Sequence, residues 1–158
     1  MSRYSSSETA IQWSSVLVRL ALAIPMLISG VGKVFAVGPK AMGISNFAGF
    51  LANLGVPLPT AVAWGVGLVE LLGGLLLLVG LLVRVAGALV AVVMFAATVL
   101  VHLPNGYPAS DGGVELTLTL CLVALVVVLM GPGALSLERA LFDDELLASS
   151  SQHSMQAD

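Results

Sequence analysis

The sequence predicts an all-α polytopic membrane protein: a four-helix bundle with a short interfacial or re-entrant helix between spans one and two. Three observations carry that prediction. The 158-residue chain is 58% hydrophobic and only 9% charged, with a mean hydropathy of +1.05, whereas soluble domains carry roughly 25% charged residues. Four long apolar runs succeed one another near residues 13–36, 60–83, 84–103 and 114–132, and about 20 helical residues cross a hydrocarbon core of about 30 Å. None of the runs alternates at period two, as the strands of a barrel would. Residues 1–141 therefore read as one four-span domain.

The first run, from Trp13 to Ala36, has an apolar part longer than the core of a secretory signal. It closes on Gly30-Val31-Gly32-Lys33 rather than on a small-residue cleavage site, so it reads as a retained span. In the loop after it, Ile44, Phe47, Leu51 and Leu54 fall on one helical face. Ser45 and Asn46 offer a polar start, Gly55 a stop, and Pro57 and Pro59 forbid continuation. This is the short helix, lying in the outer interface or dipping into it.

Spans two and three meet in a tight turn around Leu82–Arg84 and form an antiparallel hairpin. The second outer loop, from Pro104 to Gly113, is dense in turn formers. Tyr107 and Trp13 suit anchoring positions at the two interfaces. The tail at 142–158 begins with Asp143, Asp144 and Glu145 and reads as solvated and disordered, with no role for His153.

With four spans both termini share one side with Arg3, Arg84 and Arg139, against Lys33 and Lys40 on the other. The positive-inside rule then places both termini in the cytoplasm of a plasma-membrane protein. The net charge of −3 and the scattered basic residues argue against a nucleic-acid partner and against a polybasic lipid patch. Cys121 is the single cysteine, so no intrachain disulfide or CxxC pair exists. No motif for haem, copper or an iron–sulfur cluster is present, and no metal site is expected.

The charges inside the spans carry the functional signal. Glu70 is the only charge in the 24 residues from Thr60 to Val83. A carboxylate at that depth costs about 2.5–3.5 kcal/mol on insertion scales, so it needs a partner. Gly67, Glu70 and Gly74 share a face, and small residues there let another helix approach. Arg19 and Lys33 lie fourteen residues apart on span one, within about 40° of each other. Arg84 and His102 are eighteen apart on span three, five full turns of ideal helix. Glu115 and Thr119 share a face near the outer end of span four.

Depth sorts these into an outer cluster of Lys33, Glu70, His102 and Glu115, with Arg19 as the alternative partner for Glu70 and Arg84 at the inner end. Each has a plainer reading. Arg84 is explained as a snorkelling anchor, Glu115 as an acid in the first turn of a helix capped by Gly112 or Asp111, and His102 as a solvated end residue. Lys33 can simply mark the end of its span, and Glu70 can belong to a purely structural ion pair. The combination is more specific than any member.

The chain resembles the DoxX family, named from a small subunit associated with archaeal terminal quinol oxidases, and more loosely its thiosulfate:quinone oxidoreductase relatives. The matching pieces are Arg19, Gly30-Val31-Gly32-Lys33, Gly55-Val56-Pro57-Leu58-Pro59, Gly67-Leu68-Val69-Glu70-Leu71-Leu72-Gly73-Gly74, Gly80-Leu81-Leu82-Val83-Arg84, His102-Leu103 and Glu115-Leu116. The resemblance spans about Val16 to Leu137. It implies a four-helix integral membrane protein tied to respiratory, sulfur-oxidising or redox-homeostasis assemblies.

Three functions compete. The first is an accessory subunit of a quinone-linked redox assembly, at most a membrane subunit of an oxidoreductase, with quinone as the candidate cofactor and respiratory or redox subunits as partners besides the bilayer. In it Lys33 or His102 would donate to a quinone carbonyl, and Glu70 or Glu115 would exchange protons. The second is a small-molecule transporter or proton-coupled permease using Glu70 as a protonatable midplane site, which discontinuous helices or an internal repeat would favour. The third is a structural or assembly protein without its own activity, whose buried charges set helix register; a homo-oligomer is a candidate assembly under all three. The first is the favoured reading.

Overall fold

The structure, a computed structural model, describes residues 2–142. Among those residues all regular elements are helical: α1 (Ser2–Val34), α2 (Ile44–Asn53), α3 (Pro59–Val79), α4 (Val83–Ala97), α5 (Glu115–Met130) and α6 (Leu137–Phe142). Three stretches are long and apolar enough to cross a membrane, Gln12–Val34, Pro59–Val79 and Val83–Asn105. The expected fourth span is shorter than anticipated: α5 has 16 residues, about 24 Å at 1.5 Å per residue. The tail and His153 lie outside the described residues.

α1, α3, α4 and α5 run up, down, up and down. α1 packs chiefly on α3 and α4 chiefly on α5, and the α3–α4 and α1–α5 contacts close the ring. Lipid tails are as apolar as leucine, so helices in a bilayer associate through close packing rather than through the hydrophobic effect. The chain meets that demand with glycine. A Cβ on Gly30 of α1 would stand 2.5 Å from the backbone nitrogen of Leu71 in α3, and one on Gly74 would stand 3.0 Å from the backbone nitrogen of Leu27. The shared interior holds Leu22, Met26, Leu77, Val90 and Val127, while Leu17, Val92, Leu122 and Leu129 face outward.

Several boundaries differ from the sequence-based expectations. α1 begins at Ser2, well before the apolar run. α2 starts one residue before Ser45, on Gly43 at φ 77°, with no side-chain cap. The polar pair is thus inside the helix, and the Asn46 side chain donates to the Met42 carbonyl. α3 stops at Val79 because Gly80 takes a left-handed conformation, and Leu82 takes another before α4 starts. α5 is preceded by Val114 rather than capped by Gly112 or Asp111.

Two features went unanticipated. α4 continues into a π-helical turn at Thr98–His102, and α6 folds back beneath the bundle. α2 rests on α3 through Ala48, Leu51 and Ala63, so the short helix roofs the end of the bundle at which α1 finishes and α3 starts, termed the outer end after the orientation expected from the sequence.

Candidate functional site

The outer half of the bundle is hollow. A cavity of about 490 Å³ lies between α1, α3, α4 and α5 under the roof of α2, within the range of about 300–1,000 Å³ typical of small-molecule sites. Most of its wall is aliphatic or aromatic, including Met26, Phe47, Leu51, Val66, Leu100 and Leu120. The polar exceptions are Ser29, Lys33, Lys40, Glu70, His102 and Thr117.

Glu70 and Lys33 form the polar end. Lys33 Nζ donates to Glu70 Oε2 at 2.6 Å, with side-chain exposures of 16% and 5%. Local sequence explains why they meet. Gly30, three residues before Lys33, lets α1 lie directly on the α3 backbone at Leu71, next to Glu70. The Lys33 ammonium also sits 5.1 Å from the ring centroid of Phe47, a cation–π distance, so α2 contributes to holding it. Phe47 in turn stacks with Phe50 at 6.4 Å between centroids.

Gly32 fixes the adjoining loop. Its carbonyl accepts the backbone N–H groups of Met42 and Gly43, both at 3.0 Å, and a Cβ at Gly32 would collide with the Lys40 carbonyl. The loop therefore folds against α1 and brings Lys40 over it, where its ammonium donates to Ser29 Oγ at 3.4 Å. The short-spaced glycines of Gly30-Val31-Gly32-Lys33 thus have separate tasks, one toward α3 and one toward the loop.

His102 ends the π turn on the cavity wall. Its Nδ1 lies 2.6 Å from the Gly112 carbonyl. A carbonyl only accepts, so Nδ1 carries the proton, and in the neutral tautomer compatible with this bond Nε2 is the acceptor. π turns recur at functional positions because they break the regular register.

The structure does not bring all six sequence-selected charges together. Arg19 does not reach Glu70. Its guanidinium donates to the carbonyls of Leu77 (3.0 Å), Leu78 (3.3 Å), Pro132 (2.6 Å), Ala134 (3.3 Å) and Leu135 (3.4 Å). It satisfies the open end of α3 and the turn after α5, where a cation is favoured by the helix dipole. Gly80 is part of the same arrangement, since a Cβ there would stand 2.6 Å from Arg19 Nη2. Arg84 lies at the first turn of α4 beside this inner lock, where Glu138 Oε2 accepts the Val83 N–H at 3.2 Å.

Glu115 is exposed at the first residue of α5, and its Oε2 accepts the N–H of Ala109 in the preceding loop at 2.9 Å. It stays outside the cavity because that bond turns it toward the loop. Among the described residues no group of three or more His, Cys, Asp and Glu gathers as a metal site. Conversely, Ser29, Lys40 and Phe47 join the site without having been singled out for it. The only sequence signal for them was the amphipathic stripe containing Phe47.

Comparison with known proteins agrees with this architecture. The profile of the DoxX family matches residues 14–103. A protein of Mycobacterium tuberculosis (strain ATCC 25618 / H37Rv) described as an uncharacterized membrane protein is 30% identical over 138 residues, which cover 81% of each chain. No solved structure matches.

Proposed function

The chain belongs to the DoxX family, and from that premise we propose that it is an accessory membrane subunit of a quinone-linked redox assembly, with the outer cavity as its quinone site. One observation carries the reading: an ion pair of partly buried Lys33 with buried Glu70 stands at the wall of a largely apolar cavity. A cavity of that volume suits an aromatic head group, and the donor set fits a quinone. Lys33 has three N–H donors, of which one is engaged by Glu70, so it can donate to a quinone carbonyl, while His102 Nε2, an acceptor rather than the donor expected from the sequence, suits the hydroxyl of the reduced quinol.

A bound quinone would supply two-electron, two-proton redox capacity. The chain's own residues bind and orient. Lys33 donates to a carbonyl oxygen, Phe47 and the aliphatic wall exclude water, and Glu70 takes or returns a proton at its carboxylate. Electrons would come from a partner subunit.

The test is equilibrium binding of ubiquinone and menaquinone analogues to purified protein, compared with Glu70→Gln. The reading expects saturable binding that weakens about tenfold in the variant, the size of one charge-assisted hydrogen bond. Absence of binding by a folded parent protein that still captures its partner subunits would leave a scaffold.

A further inference from the structure

Beside the main cavity lies a smaller hollow of about 290 Å³, lined by Ser29, Lys33, Lys40, Ala41 and Met42. Four of these residues also line the larger space, so the two share a wall. Two ammonium groups face it, and the one carboxylate at hand, Glu70, is taken up by Lys33 at 2.6 Å. Among the described residues Lys40 hydrogen-bonds only the Ser29 hydroxyl, at 3.4 Å. An excess positive charge therefore stands at the polar end of an apolar space.

Lys40 is exposed, and an exposed lysine alone would mean little. Its backbone, however, is fixed. The double hydrogen bond to the Gly32 carbonyl and the absence of a Cβ at Gly32 hold the loop in place. Ser29 is 8% exposed, so its hydroxyl is presented from inside the bundle. The larger cavity also reaches the outside of the bundle, where several of its wall residues are well exposed, among them Val92 at 67%, Leu100 at 58% and Leu116 at 48%. A chain could enter sideways from the bilayer while its head group stays at the interface.

We propose that the hollow is an anion subsite, in which Lys40, Lys33 and the Ser29 hydroxyl hold the carboxylate or phosphate of an amphiphile whose chain lies in the apolar cavity. The inference rests on the cavity being a ligand site and adds the charge of the head group. A quinone and a fatty anion would share the apolar space and differ at the polar end, where the quinone uses the Lys33–Glu70 pair and the anion uses Lys40.

The experiment measures binding of radiolabelled dodecanoate to the full-length protein in phosphatidylcholine nanodiscs, with empty discs as blank. Dodecanol supplies the same chain without charge, and acetate and inorganic phosphate supply the charge without a chain. Dodecanoate is expected to bind at least about tenfold more tightly than dodecanol, the effect of one well-placed charge-assisted contact. Lys40→Gln should remove that preference and Lys40→Arg should keep it, both with the parent's melting temperature.

Equal binding of acid and alcohol, or unchanged dodecanoate binding in Lys40→Gln, overturns the subsite. Competition by acetate or phosphate at the concentration at which dodecanoate binds overturns the lipid source while supporting the anion site. Quinone binding is read separately in the parent protein in the same discs, and its absence there would defeat the quinone reading alone.

Discussion

Glu70 shows how a costly side chain is accommodated. Its carboxylate is matched by Lys33 at 2.6 Å, and Phe47 covers the ammonium. Breaking a buried pair from one side leaves an uncompensated charge, while replacing both partners with apolar groups can be nearly neutral. Glu70→Leu alone should therefore lower stability by about 3 kcal/mol, and the Lys33→Leu/Glu70→Leu double variant should recover most of that loss, as read by thermal unfolding in detergent. Equal losses in the single and double variants would contradict the pairing. Arg19 does a different job, bridging five carbonyls. Lysine cannot reproduce the guanidinium fork, so Arg19→Lys should cost about 1–3 kcal/mol and increase proteolysis at 131–136, with quinone binding retained by the folded fraction.

Elements meet where the sequence lets backbones touch. α1 and α3 come together at Gly30 and Gly74, and α3 approaches α4 where a Cβ on Gly73 would stand 3.2 Å from Val90 Cγ2. Gly30→Ala pushes a methyl against the Leu71 backbone and should destabilise by about 1–3 kcal/mol. Gly73→Ala meets only a side-chain methyl and should cost less, a ranking that melting temperatures of the two variants would check. These contacts were partly legible beforehand, since small residues around Glu70 already marked a protein-facing stripe. The π turn was not. Thr98 to His102 is an unbroken apolar stretch ending in histidine, with nothing in composition to mark a widened turn, and the ideal spacing placed Arg84 and His102 on one face. A π turn takes up about one extra residue, which rotates the residues beyond it by about 100°. That rotation, with the Nδ1–H bond to Gly112, sets His102 on the cavity wall.

The molecule as a whole is a bundle closed at its inner end and hollow at its outer end. The membrane class and helix order were readable from hydropathy alone, because apolar run length is a strong signal. The grouping of the charges was less readable. Helix faces and depth located Lys33, Glu70 and His102 near one another, but backbone carbonyls that bind Arg19 leave no mark in a sequence, nor does the loop that turns Glu115 outward. The inner lock also ties the turn after α5 to α1, through Ala134 N–H to Gln12 carbonyl at 3.1 Å and Ser15 Oγ to Gly131 carbonyl at 2.7 Å. The proposal that this end faces the cytoplasm predicts that, in a Cys121→Ala background, Leu135→Cys reacts with a membrane-impermeant thiol reagent only after cell lysis, and Tyr107→Cys in intact cells. The most direct measurement is quinone binding in lipid nanodiscs by the parent protein, by Glu70→Gln and by Ala97→Trp, which fills the cavity without touching the ion pair. Saturable one-site binding that weakens in Glu70→Gln and vanishes in Ala97→Trp, with both variants folded, is the predicted result. Binding unchanged by filling the cavity, or absent from the parent protein, would contradict it.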